Sequence, residues 1–292
     1  MRPPMARVAF IGLGVMGAPI ARHLAQAGHG LVVQNRSDAK SRAWVERNGG
    51  GWAATPAEAA RDADAVISCV GTDDDLEEIS IGPDGAFRTL RAGALFIDHT
   101  TVSARLARRL AEAGARQHLQ CIDAPVSGGQ AGAEDGRLSI MCGGDNEAFA
   151  AARPLMEHYA ARIVHVGDAG AGQLTKMVNQ IAVAGVLQGL AEAIAFAKAA
   201  GLDAEKVFEA VSGGAAQSWQ MVNRWKTMHD GEFDFGFAVD WMRKDLGLAI
   251  DEARGNRTPL PLTALVDQFY ADVQAMGGNR NDTSSLIRRL AR

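Results

Sequence analysis

The chain has 292 residues, 47% hydrophobic and 22% charged, a balance typical of a soluble globular protein with room for two domains. Its formal net charge is -4, and its lysines and arginines are scattered, so we expect no nucleic-acid partner. Cys69, Cys121 and Cys142 lack a Cys-x-x-Cys spacing, and the histidines lack a metal-ligand spacing. These patterns predict reduced thiols, no metal site and a cytoplasmic location.

The first predicted element is a strand followed by a glycine-rich loop. Arg7–Ile11 is a short apolar run of strand type, and a helical pattern covers residues 18–25. Between them, three glycines have the spacing that cradles a dinucleotide pyrophosphate. The first would allow a tight turn, the second a close approach of the pyrophosphate, and the third the packing of helix on strand. The loop residues are predicted cofactor contacts: Gly12, Leu13, Gly14, Val15, Met16 and Gly17.

Strand-like and helical patterns then alternate through the first half of the chain. Such alternation predicts a Rossmann-type, doubly wound and mostly parallel sheet with helices on both faces. We therefore assign residues 1–167 to a dinucleotide-binding domain of the α/β class. Its further predicted strands cover residues 31–34, 65–70, 94–98, 120–124, 140–142 and 163–166.

The second half reads as helices only. Residues 173–198 form one unbroken helical pattern that is apolar around most of its circumference. Its polar residues, among them Asn179 and Glu192, predict a buried helix rather than a membrane span. We therefore expect an all-helical substrate and dimerisation domain at residues 168–292, joined to the first domain through this long helix. Because the helix needs cover on several sides, we expect a homodimer or homotetramer.

The end of the second strand indicates which nicotinamide cofactor is used. An acidic residue here would bind the ribose 2′-hydroxyl of NAD, but the chain has Asn35, Arg36 and Ser37. A guanidinium can stack on adenine and pair with a 2′-phosphate. The three residues are therefore predicted to bind NADP. In the alternative interpretation, Arg36 is an ordinary surface residue and the enzyme also accepts NAD.

Three further motifs follow in order: DAPVSGGQAG at residues 123–132, GAGQLTKMVNQ at 170–180 and WMRKDL at 241–246. Together with the glycine loop, they resemble the β-hydroxyacid dehydrogenase family over essentially the whole chain. This family includes 3-hydroxyisobutyrate dehydrogenase, tartronate semialdehyde reductase and the short glyoxylate reductases. The second domain is accordingly expected to be similar to that of 6-phosphogluconate dehydrogenase. The resemblance implies hydride transfer between NAD(P) and a small β-hydroxy acid or its semialdehyde.

Lys176 is the predicted catalytic residue. Oxidation of an alcohol needs a base, and the reverse reduction needs an acid. Lys176 lies near the start of an apolar helix, where desolvation and the positive helix end would lower its pKa toward neutrality. The resemblance matches it to the catalytic lysine of the family. Its alternative role is that of a lysine whose ammonium merely reaches solvent from a helix between two domains.

The resemblance also assigns substrate contacts. The loop Ser127, Gly128 and Gly129 offers a hydroxyl and unobstructed N–H groups, and in the family it binds the substrate carboxylate. Asn179 and Gln180 follow Lys176 by about one helical turn, so either amide could contact substrate or another helix. Many family members have Asn where this chain has Gln180, which leaves open which amide contacts the substrate.

The remaining assignments concern the cofactor and the choice of substrate. By resemblance, Val70, Gly71 and Thr101 line the nicotinamide side, and Lys244 reaches the cofactor end of the site. Asp240 lies four residues before Lys244 on the same helical face. It could pair with Lys244 or receive the ammonium of a substrate such as serine.

Several functions therefore stay open. The first is a dehydrogenase for a 3-hydroxyisobutyrate-like acid, and its alternatives are a serine-type dehydrogenase or a succinic semialdehyde or glyoxylate reductase. An imine reductase would share the architecture, but Lys176 argues against it. In a different class, the chain would be a non-catalytic nucleotide-sensing protein.

Overall fold

The protein is described here by a computed structural model covering residues 5–290. The chain divides into two compact units, Met1–Lys176 and Met177–Arg292. The division lies a few residues beyond the predicted domain boundary at residue 167, which stays a prediction.

Strands and helices alternate through the first unit. The strands are β1 (Arg7–Ile11), β2 (Gly30–Gln34), β3 (Gly51–Trp52), β4 (Ala65–Ser68), β5 (Leu95–Asp98), β6 (Gln120–Asp123), β7 (Val126–Ser127), β8 (Leu138–Gly143) and β9 (Ala160–Gly167). The helices are α1 (Gly17–Gln26), α2 (Asp38–Asn48), α3 (Pro56–Ala60), α4 (Asp73–Ile81), α5 (Ala104–Ala115), α6 (Gly129–Glu134) and α7 (Asn146–Met156), with a 3₁₀ helix at Ala86–Arg88.

These strands form one sheet in the order β3-β2-β1-β4-β5-β6-β8-β7, and β9 also pairs with β8. The six strands β1 to β6 pair in parallel, whereas β8 runs antiparallel to β6 and β7. The order reverses at β1, which pairs with both β2 and β4. This is the doubly wound arrangement that the sequence predicts, and its switch point is where α/β sheets bind ligands.

Alternate residues of each strand pack on opposite faces of the sheet, as the two-residue period of a strand requires. In β1, Val8 and Phe10 belong to a buried cluster on one face, and Ala9 and Ile11 belong to a second cluster on the other. All four side chains are buried. The central strands are therefore covered on both sides, which explains their continuous apolar sequences.

The second unit is helical. Its elements are most of α8 (Ala171–Ala199), then α9 (Ala204–Val211), α10 (Trp219–Asp230), α11 (Val239–Asn256), α12 (Pro261–Ala275) and a 3₁₀ helix at Thr283–Leu290. A third buried cluster joins these helices through Leu187, Trp225, Leu246 and Tyr270. The all-helical second domain predicted from the sequence is confirmed.

Helix α8 is long and apolar enough to cross a membrane by length and composition alone. However, 44% of its most apolar 18-residue window is buried inside the protein. Ala184, Leu187, Ala191 and Ile194 all belong to the buried cluster of the second unit. Core helices of globular proteins have these same properties, so the composition of α8 is weak evidence for a membrane span.

Several helices begin at side chains that cap their free N–H groups. Thr55, Ser103 and Asp145 accept hydrogen bonds from the backbone N–H three residues ahead. Thr72 and Asp75 form a reciprocal capping box at the start of α4. These caps fix the residue at which each of these helices begins.

Because His99 is buried, we expect the protein to lose stability as the pH falls. Its Nδ1 lies 2.6 Å from the Ala124 carbonyl oxygen and its Nε2 lies 2.9 Å from the Tyr159 hydroxyl. Burial lowers the pKa of His99 from 6.5 to about 4, so the unfolded chain takes up the proton first. The stabilisation is therefore present above pH 6.5 and is lost as pH falls toward 4. Between pH 7 and pH 5, the wild type should lose roughly 2 kcal/mol more than His99→Gln.

Urea unfolding of both proteins at the two pH values measures this difference. Asp98 and Asp123 also titrate differently in the folded chain, but they are present in both proteins and largely cancel in the comparison. Equal pH dependence in the two proteins would contradict the prediction.

Candidate active site

The carboxyl edge of the sheet gathers most of the predicted site segments. Ile11, Ser68, Asp98 and Asp123 are aligned in register across β1, β4, β5 and β6. The residues that follow these four ends include the glycine loop, Val70 and Gly71, Thr101, and the Ser127 loop. Because the strands are parallel, their carboxyl ends lie at one edge, where open α/β sheets bind ligands.

The glycine loop follows β1. Gly12 has a φ of +96°, and a Cβ there would overlap the Cys69 carbonyl oxygen. A Cβ on Gly17 would overlap the Gly12 carbonyl oxygen. In contrast, a Cβ on Gly14 would meet no atom within 4 Å, so the chain itself does not require glycine at that position. Gly14 leaves space for a ligand, and α1 begins beside it without a side-chain cap on its N–H groups.

The other loop residues differ in exposure. Leu13 is buried, Met16 is half-buried and Val15 is 56% exposed. The Leu13 N–H donates to Asn35 Oδ1 over 3.0 Å, and Asn35 Nδ2 donates to the Ser37 carbonyl oxygen over 3.4 Å. Asn35 therefore joins the glycine loop to the end of β2, a structural contact that the sequence alone did not indicate.

Arg36 is placed on the surface beside the glycine loop. Its side chain is 93% exposed, and its Nη1 lies 3.6 Å from Asp75 Oδ1. Ser37 precedes α2 and makes no side-chain cap for it. Arg36 and the first N–H groups of α2 can both receive an anion here.

A buried carboxylate holds together the two segments that are predicted to line the nicotinamide. Asp98 Oδ1 accepts hydrogen bonds from Ser68 Oγ (2.8 Å), Thr100 N (3.1 Å) and Thr100 Oγ1 (2.7 Å). Thr100 Oγ1 in turn accepts from the Val70 N–H at 3.0 Å. Burial raises the pKa of Asp98 to about 7, although these hydrogen bonds oppose the shift. This network fixes the two segments that carry Val70 and Thr101, both half-buried.

Asp123 caps the helix that carries Lys176. Its Oδ1 accepts from the Gly170 N–H at 2.7 Å, and its Oδ2 accepts from the Gln173 N–H at 2.9 Å. Burial raises the pKa of Asp123 to about 6, and the N–H donors oppose that shift. The sequence alone does not indicate this cap, because Asp123 lies on a strand that is distant in the chain from the helix.

Lys176 lies on the second turn of α8 and its side chain is buried. Its Nζ donates to the Val126 carbonyl oxygen over 2.9 Å. Val126 immediately precedes Ser127, Gly128 and Gly129, and the two glycines have φ values of +132° and +63°. The ammonium group and the predicted carboxylate loop are thus brought together within the first unit.

In the second unit, a chain of polar groups connects three of the predicted site residues. Asn179 Nδ2 donates to Gln180 Oε1 (2.8 Å), and Gln180 Nε2 donates to Asp245 Oδ2 (2.7 Å). Lys244 Nζ lies 3.1 Å from Asp245 Oδ1. Asp245 was not among the predicted site residues, and it is only 2% exposed. Its position beside Lys244 in the WMRKDL motif was the available signal.

Asp240 is held by other residues of the second unit. Its Oδ1 accepts from Gln274 Nε2 at 2.5 Å and from Asn279 Nδ2 at 3.2 Å. These two amides already use part of the hydrogen-bonding capacity of the carboxylate. The predicted role of Asp240 toward a substrate ammonium stays a prediction.

The described residues contain no group of three or more His, Cys, Asp or Glu side chains that could hold a metal ion. Arg36, Lys176 and the first N–H groups of α1 and α2 are suited to binding anions, and Lys176 is suited to moving a proton. The residues of the glycine loop and of the β2 end fit a dinucleotide.

Two family models together match nearly the whole chain. Residues 7–167 match the NAD binding domain of 6-phosphogluconate dehydrogenase. Residues 170–290 match the model described as NAD-binding of NADP-dependent 3-hydroxyisobutyrate dehydrogenase.

Individual relatives agree with these matches. An uncharacterized oxidoreductase of Shewanella frigidimarina is 58% identical over 98% of both chains. The structure of Mycobacterium tuberculosis 3-hydroxyisobutyrate dehydrogenase with L-serine is 31% identical, with a TM-score of 0.88 over 99% of this chain and 100% of that one. The structure of Psf3 in complex with NADP+ and 2-OPP is 29% identical, with a TM-score of 0.88 over 97% and 100%.

The doubly wound sheet, its glycine loop and the helical second unit define an NAD(P)-dependent oxidoreductase. The chain belongs to the β-hydroxyacid dehydrogenase family, which includes 3-hydroxyisobutyrate dehydrogenase. The predicted fold class and family resemblance are confirmed.

Proposed function

We propose that the protein is an NADP-preferring dehydrogenase of small β-hydroxy acids, or a reductase of their semialdehydes, with Lys176 as the general acid and base. The observation that carries this proposal is the 2.9 Å hydrogen bond from Lys176 Nζ to the Val126 carbonyl oxygen. It holds a buried proton donor next to the loop that is suited to a carboxylate. A β-hydroxy acid has its reacting hydroxyl carbon two bonds from the carboxylate carbon, so both groups can be engaged at once.

Under this proposal, different residues of the chain bind the substrate and transfer the proton. Ser127 Oγ and the backbone of Gly128 and Gly129 bind the carboxylate and orient the substrate. Lys176 takes the hydroxyl proton during oxidation and returns it to the carbonyl oxygen during reduction. Asn179 and Gln180 offer amides for the substrate. When bound, the nicotinamide supplies the hydride chemistry.

For the cofactor, Gly12 to Gly17 would surround the pyrophosphate, and Val70, Gly71 and Thr101 would line the nicotinamide side. Lys244 would reach the same end of the site, as in members of the family. These roles rest on the open space at Gly14 and on the resemblance. NADP+ in the Psf3 structure supports a nicotinamide dinucleotide as the cofactor.

The candidate substrates form a short series. A 3-hydroxyisobutyrate-like acid is the first, and succinic semialdehyde and glyoxylate are alternatives on the reduction side. Serine is a further candidate because a 3-hydroxyisobutyrate dehydrogenase of similar structure has L-serine bound. Turnover of serine that disappears in Asp240→Asn would support a contact between Asp240 and the substrate ammonium.

The deciding experiment measures initial rates at the absorbance of the reduced nicotinamide. Small β-hydroxy acids and the matching semialdehydes are tested with NADP and with NAD in parallel. We expect turnover of at least one compound, faster with NADP. If the protein binds the cofactor but turns over no compound, the dehydrogenase proposal is rejected in favour of nucleotide sensing.

Preference for NADP should depend on Arg36. We expect Arg36→Ala to raise the Kd for NADPH by about 10- to 100-fold, the value of a charge-assisted hydrogen bond, and to leave the Kd for NADH nearly unchanged. Fluorescence titration of both cofactors measures this. Arg42→Ala is a matched control, because the Arg42 guanidinium lies 4.5 Å from the centre of the Trp52 ring. An equal loss of affinity for both cofactors would contradict the role of Arg36.

We further propose that a second copy of the chain covers α8. Val178 and Phe196 are 65% and 72% exposed. Together with exposed Ala182 and Gly189, they lie within about 40° of one another around the helix, at roughly 100° per residue. Such an apolar stripe of large and small side chains can pack closely against another helix.

This interface predicts a change of mass. Wild type should sediment as two or four copies of the 30.8 kDa chain, and Gly189→Glu should reduce that number. Met276→Glu is the control, since Met276 is a 47% exposed apolar residue of the same unit outside the stripe. Sedimentation velocity distinguishes these cases, and an unchanged mass for Gly189→Glu would exclude this interface.

The cysteines support a reducing compartment, and we propose a cytoplasmic location. Cys121 and Cys142 are thiols that form no disulfide. Burial raises the pKa values of Cys121 and Cys142 to about 12, which keeps both as unreactive thiols at neutral pH.

A further inference from the structure

The side chain of Gln173 connects two parts of the candidate site within the first unit. Its Oε1 accepts from the Val102 N–H at 3.1 Å, and its Nε2 donates to the Thr100 carbonyl oxygen at 2.7 Å. The amide therefore holds the backbone on both sides of Thr101. Gln173 itself is fully buried.

The orientation of this amide is fixed by its partners. A backbone N–H can only donate and a carbonyl oxygen can only accept, so the oxygen of Gln173 must face Val102 and its NH₂ must face Thr100. An ionised carboxylate could replace only the first contact, and an aliphatic side chain could replace neither. A glutamine, or a protonated glutamic acid, satisfies both partners.

Gln173 also lies three residues before Lys176 on α8. Its backbone N–H is capped by Asp123, so the helix start is fixed from β6 while the side chain reaches the segment after β5. The same segment is also held at Thr100, whose backbone N–H and hydroxyl both donate to Asp98 Oδ1. Gln173 joins this segment directly to the helix of the proton donor.

We propose that Gln173 is a positioning residue that sets the distance between the Thr101 segment, on the nicotinamide side, and Lys176. This inference rests on the proposed function, because it concerns the alignment of hydride and proton transfer. Misplacement of reacting groups by about 1 Å can cost on the order of 100-fold in rate. Loss of the Gln173 amide should therefore act on kcat more than on binding.

The first test compares Gln173→Met with Gln188→Met. Methionine keeps an unbranched side chain and removes both hydrogen bonds. Gln188 is a buried glutamine of the same helix whose Nε2 donates to Glu192, so it controls for the loss of a buried amide in α8. We expect kcat to fall about 10- to 100-fold in Gln173→Met, with much smaller changes in KM, and to stay near wild type in the control.

The second test uses Gln173→Glu and its pH dependence. The introduced carboxyl donates to the Thr100 oxygen only when protonated, so the ratio of variant to wild-type kcat should rise as pH falls. The charged groups around it are Asp98, Asp123 and Lys176, with Arg108 of α5 beside Gly170. Because these groups titrate in the wild type as well, the ratio at each pH is the relevant quantity. A ratio independent of pH would overturn the proposal.

Hydrogen exchange gives a readout that needs no turnover. The Val102 amide should exchange faster in Gln173→Met than in wild type, and remain protected in Gln173→Glu and in Gln188→Met. Unchanged protection in Gln173→Met overturns the proposal whatever the activity. If the wild type turns over no compound, the proposed function fails, and exchange still decides whether Gln173 holds this segment. If Gln173→Met does not fold, the pH dependence of the ratio of Gln173→Glu kcat to wild-type kcat decides whether the proposal holds.

Discussion

Replacement of Lys176 by alanine is expected to lower kcat by about two to four orders of magnitude, because it removes the group that we propose transfers the proton. The buried Lys176 ammonium donates to the Val126 carbonyl oxygen, and alanine removes both the donor and the charge. Binding of NADPH should change little, since the glycine loop and Arg36 are untouched. The loss should therefore appear in kcat rather than in the Kd for the cofactor.

Steady-state rates and cofactor titrations of two further variants complete this test. Lys176→Arg keeps the positive charge, but arginine cannot release its proton near neutral pH. We therefore expect this variant to be as inactive as Lys176→Ala. Lys198→Ala removes an exposed lysine of the same helix and should retain activity. A wild-type rate in Lys176→Ala would mean that another group carries the proton.

The second large effect concerns the glycine loop, where Gly14 and Gly17 should respond in opposite ways. In Gly17→Ala, the new methyl group overlaps the Gly12 carbonyl oxygen and approaches Phe10 Cε1 to 3.0 Å. Both neighbours lie in the packed contact between helix and strand and cannot move easily. We expect a loss of about 3 kcal/mol in the free energy of unfolding, the upper end for overpacking, and a thermal midpoint lower by roughly 5–10 °C.

In Gly14→Ala, the methyl group meets no protein atom within 4 Å, so the thermal midpoint without cofactor should stay at the wild-type value. The same methyl group occupies the space proposed for the pyrophosphate. We therefore expect weaker NADPH binding and a smaller rise of the midpoint when NADPH is added. Calorimetry with and without cofactor measures both variants. Unchanged NADPH binding in Gly14→Ala would place the pyrophosphate elsewhere.

The sequence was sufficient to predict most of the fold because the parallel strands are buried on both faces and appear as apolar runs. The strands of residues 7–11, 31–34 and 94–98 are found within a residue or two of their predicted bounds. The strands β3 and β7 have only two residues each and were not predicted. A pattern that short has no period to detect, and both strands exist because a neighbouring strand offers hydrogen bonds.

The site was predictable only where a local motif marks it. The glycine loop, Lys176 and the Ser127 loop each lie in a recognisable stretch. The sequence did not indicate the functions of Asp98, Asp123 and Gln173, because each has a hydrogen-bond partner that is distant in the chain. Burial of a polar side chain with satisfied partners is a property of the folded chain. Asn35 was predicted only as a cofactor contact. Its hydrogen bond with the Leu13 N–H was not predicted, because that bond links the end of β2 to the glycine loop.

Helix α8 begins at Ala171 and ends at Ala199, yet the two compact units meet between Lys176 and Met177. The junction is therefore wound helix rather than a linker, and a protease finds no extended segment there to cut. A gene fragment ending at residue 176 would encode Lys176 on fewer than two turns of helix, too short to stay wound by themselves. We therefore expect a fragment of the first unit alone to lose the fixed position of Lys176, and we expect recombination between relatives to preserve this helix whole.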